Sequence, residues 1–296
     1  MSAELIVLGS ANMDLVVKLT RHPAPGETVF GDSLTTVAGG KGLNQAVAGA
    51  RAGAPVRFVG AVGRDEFGQR LVAGLRAEGI DTTGVQQVDQ PTGTAHISVD
   101  RAGQNSIVVV SGANASLTPQ VLDGLEPGAA EWLLTQLEVP LDTVAAALDW
   151  CHHHGVRAVL TPAPVLTLDA SLLAKVDLLV PNEFEACQLA GLDDPQQAAL
   201  ALSRSCRDVV VTLGSRGSVW ATDGELRHRQ PALTVAAVDT TAAGDTFVGL
   251  LVTQLSQGAT MPQAMEWAAA GAAISVSRAG ASASMPTRAE IDALLA

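Results

Sequence analysis

The 296-residue chain contains no Tyr, and its Phe and Trp number only five and four. So few aromatic faces argue against a platform that stacks unpaired bases. Basic residues are scarce as well: 18 Lys and Arg stand against 30 Asp and Glu, a formal charge of −12, with no Lys/Arg cluster. Gripping a nucleic-acid backbone or an anionic membrane surface takes a positive patch, so no nucleic acid and no membrane is expected as a partner. The three cysteines, Cys151, Cys187 and Cys206, are odd in number, far apart and never paired as C-x-x-C, which argues against a disulfide framework and against a zinc knuckle. The longest apolar stretch, residues 267–274, falls far short of the roughly 20 residues a membrane-spanning helix needs. The opening run Met1-Ser-Ala-Glu-Leu-Ile-Val-Leu-Gly9 has neither the basic segment nor the apolar core of an export signal. A reducing, cytoplasmic setting is expected.

What the chain does have is apolar residues, 47% of the total, and enough length for one large α/β domain. Short runs rich in Val, Ile and Leu alternate with Ala-rich helical stretches, the pattern of a mostly parallel sheet with helices on both faces. The runs are residues 5–8, 56–62, 132–137, 156–160, 177–180, 208–213 and 233–238. Thr118-Pro119 reads as a helix start, and Gly79, Gly155 and Gly258 as helix ends. No break in composition divides the chain, so residues 1–296 are expected to form one domain.

Two stretches depart from this rhythm by alternating apolar with polar residues, as half-exposed antiparallel strands do. In residues 94–99, Ala95, Ile97 and Val99 share one face and Thr94, His96 and Ser98 the other; residues 100–105 then turn the chain into a second strand, 106–110. In residues 15–19, Leu15, Val17 and Leu19 align. Together they predict a small β-sheet built from insertions at about 13–36 and 92–111. Two readings fit: a lid, or an extra antiparallel edge of the main sheet.

Several familiar motifs fail. Gly40 and Gly42 begin G-x-G, but position 45 is Gln, so no dinucleotide fingerprint is completed. Gly40-Lys41 lacks both the upstream Gly, where Thr35 stands, and the following Ser or Thr of a phosphate-binding P-loop. Neither G-x-S-x-G nor H-E-x-x-H occurs. His152, His153 and His154 are adjacent on a predicted helix, where neighbours diverge by about 100°, so a solvated helix end is expected rather than a metal site.

Polar residues nevertheless collect directly after the predicted strands: Asn12 and Asp14 after the first, Glu138 after the third, Asn182 after the fifth, Gly214 after the sixth and Asp239 after the seventh. Ligands of open α/β sheets bind outside the carboxyl ends of the strands, so these residues should share one rim. The segment from Asp239 to Phe247 leads into an Ala- and Leu-rich helix. Ala242, Ala243 and Gly244 have no bulk to keep an anion from the backbone amides at the positive helix end. Asp245 would stand beside that anion, although any Asp in a first helical turn is also favourable in its own right.

The series Gly9-Ser-Ala-Asn-Met-Asp14, Pro25-Gly-Glu-Thr28, Gly39-Gly-Lys-Gly-Leu-Asn-Gln45, Ser111-Gly-Ala-Asn114, Pro181-Asn-Glu-Phe-Glu185, Thr212-Leu-Gly-Ser-Arg-Gly217 and Asp239 to Phe247 covers nearly the whole chain. In order and spacing it resembles the ribokinase-like PfkB carbohydrate kinase family. The resemblance implies a Rossmann-like domain with a small β-sheet lid that also forms a homodimer contact. It implies transfer of the γ-phosphoryl group of ATP to the 5-hydroxyl of D-ribose, with Mg2+ accompanying the ATP and K+ as an activating monovalent cation.

By the same resemblance Asp245 is the general base, and the amides of Ala242, Ala243 and Gly244 form the anion hole. A carboxylate at a helix N-terminus is a weak base, but the loose transition state of phosphoryl transfer asks little of it early. Asn12, Asp14, Gly39, Gly40, Lys41, Asn44 and Glu138 would hold the sugar, whose hydroxyls donate to carboxylates and accept from amides or an ammonium. Asn182, Glu185, Thr212, Gly214, Ser215, Gly217, Gly244 and Ala269 would hold ATP. Asn182 and Glu185 also have the spacing of a helix capping box, and both readings stand together. Asp239, Thr241, Ser275, Arg278, Gly280 and Ser284 would supply the monovalent-cation site, several through backbone carbonyls. Leu43 and Ala269 depart from the family pattern, the second in a way that loosens the preference for one nucleotide base. Alternatives left open are a kinase for 2-deoxyribose or another pentose or nucleoside, and a non-catalytic sugar-binding regulator on the same scaffold.

Overall fold

A computed structural model of the protein describes residues 4–296; Met1, Ser2 and Ala3, at the start of the segment read for an export signal, lie outside the described residues. In chain order the strands are β1 (Glu4–Leu8), β2 (Asn12–Leu19), β3 (Gly31–Gly39), β4 (Val56–Gly63), β5 (Asp81–Val88), β6 (Gly93–Val99), β7 (Asn105–Val110), β8 (Ala130–Gln136), β9 (Arg157–Thr161), β10 (Leu178–Leu179), β11 (Asp208–Thr212), β12 (Ser218–Thr222) and β13 (Glu225–Gln230). Nine of the described strands form the main sheet, in the order β13-β12-β11-β10-β9-β8-β1-β4-β5, parallel from β11 through β5. The order reverses at β1, where β8 pairs on one side and β4 on the other, and the crevice at such a reversal is where open α/β sheets take ligands.

Alternation along the buried strands sends side chains to two separate cores. Leu5 and Val7 point to one, with the helices Lys41–Arg51, Ala243–Ser256, Met261–Val276 and Arg288–Leu295; Ile6 and Leu8 point to the other, with Leu141–His154 and Pro195–Leu202. These strand residues are wholly inaccessible, and each such Leu contributes about 2–3 kcal/mol of apolar burial. The second sheet has the order β3-β2-β6-β7 and is separate from the main one, so it is not an extra edge of it. Its edge strand β7 leaves Ile107, Val108, Val109 and Val110 all at least half exposed.

Residues 233–238 are not a strand. Pro231 ends the ladder of β13 by lacking an amide proton, and the chain leaves the sheet to run along the Met261–Val276 helix, where the Val238 amide donates to the Val276 carbonyl at 2.7 Å. Asp239 therefore follows an irregular segment rather than a strand. The antiparallel hairpin of β12 and β13 forms the sheet edge instead, joined by Asp223-Gly224 with φ of 52° and 74°, a turn matched to the twist of a hairpin. The three histidines lie in the last turn of the Leu141–His154 helix, which Gly155 closes at φ 69°. Among the described residues no group of His, Cys, Asp or Glu is arranged to hold a metal, and no helix is long and apolar enough to cross a membrane.

Candidate active site

The first polar cluster forms where β1 hands over to β2 and β3 hands over to the Lys41–Arg51 helix. Asn12 and Asp14 project from the start of β2, and Asn12 Oδ1 accepts the Asn114 side-chain amide at 2.7 Å. Gly39 at the end of β3 lets the Asp14 carboxyl lie against the backbone, since a Cβ there would sit 2.2 Å from Asp14 Oδ2. Gly40 is the residue before the helix, and the Lys41 amide donates to Glu138 Oε2 at 3.1 Å. The same Glu138 oxygen accepts the Ser10 hydroxyl at 2.5 Å. Burial pushes the Asp14 carboxyl up to about 7, helped by the charges of Glu138 and Asp245. The nearby charge of Asp245 lifts the Lys41 ammonium above its usual range against the cost of burial, with Glu138 and Glu185 adding to the effect.

Asp245 lies in the first turn of the Ala243–Ser256 helix and is only 9% exposed. Its two oxygens are held by neighbours on another helix: Asn44 Nδ2 donates to Oδ2 and Gln45 Nε2 to Oδ1, each at 3.1 Å. Among the described residues Asn44 Oδ1 is buried without a partner. No side chain caps the helix, and Ala242 before it takes a left-handed φ of 57°. The Ala243 amide turns back to the Thr240 carbonyl at 3.2 Å, whereas within the described residues the amides of Ala242, Gly244 and Asp245 have no acceptor. A Cβ at Gly244 would meet no atom within 4 Å, so the backbone there is open to approach.

A cleft of about 390 Å³ begins at this helix end. Thr212, Gly214, Ser215 and Gly217, between β11 and β12, line one side, with Ala243, Gly244, Phe247 and Ala269 opposite. The irregular segment with Leu233 and Val235 completes the wall. Asn182 and Glu185 stand at the rim, where Asn182 bridges to Thr212, but they do not line the cleft. They form a reciprocal capping box, Glu185 Oε2 accepting the Asn182 amide at 2.8 Å and Asn182 Oδ1 accepting the Glu185 amide at 2.9 Å. Burial raises the Glu185 carboxyl, against the opposing pull of the Asn182 amide and Lys41.

Two loops meet beside the helix end. Asp239 Oδ1 accepts the Thr241 amide and hydroxyl at 2.9 and 2.6 Å, and Oδ2 accepts the Gly280 amide at 2.9 Å. Partial burial disfavours the Asp239 carboxylate, yet these hydrogen bonds prevail and hold it below the usual range. The hydroxyls of Ser275 and Ser284 are 2.7 Å apart and fully buried, and Arg278 pairs with Glu290 at 2.6 Å. These side chains are already engaged, so any cation here would be met by backbone carbonyls.

A profile described as pfkB family carbohydrate kinase matches residues 2–288. The chain belongs to the pfkB carbohydrate kinase family. This pfkB kinase is 42% identical to the ribokinase of Haemophilus influenzae, with 98% of this chain and 97% of that protein aligned. The crystal structure of ribokinase from Thermotoga maritima superimposes with a TM-score of 0.91 at 35% identity, covering 100% of this chain and 99% of the other. A structure of Arabidopsis thaliana ribokinase complexed with ribose and ATP does so with a TM-score of 0.91 at 32% identity and the same coverage.

Residues beyond the predicted set also belong to the kinase's polar cluster. Ser10 holds Glu138, Asn114 holds Asn12, and Gln45 and Gln136 form a buried pair beside Asp245. Gln136 ends β8 and is wholly inaccessible, and with Glu131 and Thr135 in the same strand nothing in the sequence singles it out.

Proposed function

We propose that the protein transfers the γ-phosphoryl group of ATP to the 5-hydroxyl of D-ribose, giving D-ribose 5-phosphate and ADP. The observation that carries this reading is the position of Asp245: its carboxylate is gripped by the sugar-side residues Asn44 and Gln45, while its own helix opens with free amides into the cleft that Gly214, Gly244 and Ala269 line. A base is thereby set where an acceptor hydroxyl on one side meets a triphosphate on the other. Asp245 takes the hydroxyl proton as the new O–P bond forms and the bond from γ-phosphorus to the β,γ-bridging oxygen breaks, the electron pair leaving with ADP.

The free amides of Ala242, Gly244 and Asp245, with the helix dipole behind them, stabilise the charge that builds on the transferring group. Asn12, Asp14, Gly39, Gly40, Lys41, Asn44 and Glu138 receive the sugar, and the unpartnered Asn44 Oδ1 supports this reading by offering an acceptor to a hydroxyl. Thr212, Gly214, Ser215, Gly217, Gly244 and Ala269 receive the nucleotide between small and aliphatic surfaces. Mg2+ suits the same place, because it is held by one or two carboxylates and substrate phosphates rather than by a full protein cage, and Asp245, Glu138 and Glu185, whose charges all act on Lys41, are hard oxygen donors. When bound it offsets phosphate charge. K+ suits the paired loops of Asp239, Thr241, Ser275, Arg278, Gly280 and Ser284, whose carbonyl oxygens are hard ligands.

The second sheet, with insertions near 13–36 and 92–111, acts as a lid, and the bare apolar edge of β7 supports a homodimer in which a second copy covers it. A cytoplasmic setting agrees with three unpaired thiols. The deciding experiment is a panel of pentoses, 2-deoxyribose and nucleosides with ATP consumption as the readout. D-ribose should give the highest kcat/KM; a higher value on another acceptor overturns the substrate assignment, and no consumption with any of them supports a binding protein.

A further inference from the structure

Gln45, which grips Asp245, and Gln136, which has no part in the chemistry described above, are both completely buried. Gln136 Nε2 donates to Gln45 Oε1 at 2.6 Å, and Gln45 Nε2 in turn donates to Asp245 Oδ1 at 3.1 Å. An ionised carboxylate only accepts, so the donor end of the Gln45 amide has to face Asp245. Rotation of that amide by half a turn would place a carbonyl oxygen against the carboxylate instead. The other polar neighbour of the amide, Thr161 Oγ1 at 3.5 Å, is a hydroxyl that rotates to donate or accept and so favours neither orientation. Gln136 supplies the remaining contact, its NH2 group donating to the Gln45 carbonyl that Asp245 turns away from itself.

The fold keeps room for this arrangement at a cost. Gln136 Oε1 is buried without a partner and lies where a Cβ on Gly9 would be, 2.0 Å away. A chain of amides ending in a buried pocket leaves one carbonyl without a partner among the described residues, and here that carbonyl stands at the far end from Asp245. We propose that Gln136 is a positioning residue for phosphoryl transfer: by donating to Gln45 Oε1 it holds the Gln45 side chain in place with its N–H donor against Asp245. In a buried site such a donor holds the orientation of the carboxylate.

The inference rests on Asp245 being the base, and the two are separable by steady-state kinetics with ribose and ATP on Asp245→Asn, Gln45→Leu, Gln136→Leu and the Gln45→Leu/Gln136→Leu double variant. Each glutamine variant should lower kcat by about tenfold while both KM values stay within about twofold, and the double variant should fall no further than Gln45→Leu alone. Wild-type kcat in Gln136→Leu, or losses that multiply in the double variant, overturns the proposal. The isosteric Gln136→Glu carries the test should the leucine variant fail to fold. Its carboxylate cannot donate once ionised, so its kcat should fall with rising pH between about pH 6 and 9 relative to the wild type, and a wild-type profile overturns the proposal. Turnover retained in Asp245→Asn defeats the base reading itself, whereas turnover lost there and kept in the Gln136 variants defeats the positioning role alone.

Discussion

The Asn44 side-chain amide donates to Asp245 Oδ2 at 3.1 Å although 201 positions separate the two residues in the chain. The contact joins the helix that follows β3 to the helix whose amides open into the cleft, so the carboxylate proposed as base is held from the side proposed for the sugar. Asp245→Asn leaves the shape of that junction intact and removes the proton acceptor. Turnover should fall by at least about 10²-fold, with ribose binding retained by calorimetry.

Asp14, with its carboxyl raised to about 7 by burial and by Glu138 and Asp245, makes the ligand-free protein sensitive to pH. The folded state binds this proton more tightly than the unfolded chain, so the stability it confers is present below about pH 4 and is lost as pH rises through 7. Thermal denaturation should show Asp14→Asn stabilised relative to wild type at pH 8, by roughly 1–4 kcal/mol, and little changed at pH 4. Ribose hydroxyls donate to the ionised form, so the sugar KM should fall as pH rises from about 6 to 8.

Ser10 controls Glu138 through a 2.5 Å hydrogen bond, and its oxygen also accepts the Gly42 amide at 3.3 Å. Removing the hydroxyl in Ser10→Ala leaves Glu138 Oε2 held by the Lys41 amide alone and leaves the Gly42 amide without that acceptor, a loss of about 1–2 kcal/mol. The expected result is a ribose KM raised by about tenfold with kcat nearly unchanged, because a contact made equally in ground and transition states is what has been lost.

Ala269 faces the cleft from the Met261–Val276 helix. Ala269→Leu fills part of that space and should raise the KM for ATP by about tenfold or more while leaving ribose affinity, measured by calorimetry, where it was. An equal rise in both would place the nucleotide elsewhere.

Activity in K+ should exceed that in Na+ when the enzyme has been dialysed free of the other ion, and Asp239→Ala should abolish the difference by releasing the Thr241 and Gly280 amides that hold the two loops together. Equal rates in the two salts for the wild type remove the cation site from the account.

Legibility in the sequence followed how local the physics was. Runs such as 5–8 and 156–160 are buried on both faces, and their continuous apolar character suffices to mark them as strands close to where β1 and β9 lie. The capping box of Asn182 and Glu185 is equally local and is present as spaced. Residues 233–238 have the composition of a strand but no strand beside them, because Pro231 has already ended the ladder. The Asp223-Gly224 turn carried a hairpin signal that a search for apolar runs passes over, since β13 alternates Leu226 and His228 with charged residues. Ser10 and Gln136 were illegible for another reason. Their roles exist only through partners 128 and 91 positions away, and nothing near them in sequence announces those partners.

The order in which the chain is made gives the two-faced core a consequence for biosynthesis. Every strand of the main sheet has been synthesised once Gln230 is complete, but one of its faces is covered by Phe247, Leu250, Leu251, Met265 and Ile291, which come later. A nascent chain stalled between these points holds a finished sheet with part of one apolar face uncovered, the kind of surface that chaperones retain and that aggregates when they do not. Commitment to the native state therefore waits for the closing helices, and with them for Asp245, so that the ribosome delivers stability and catalytic competence in the same interval.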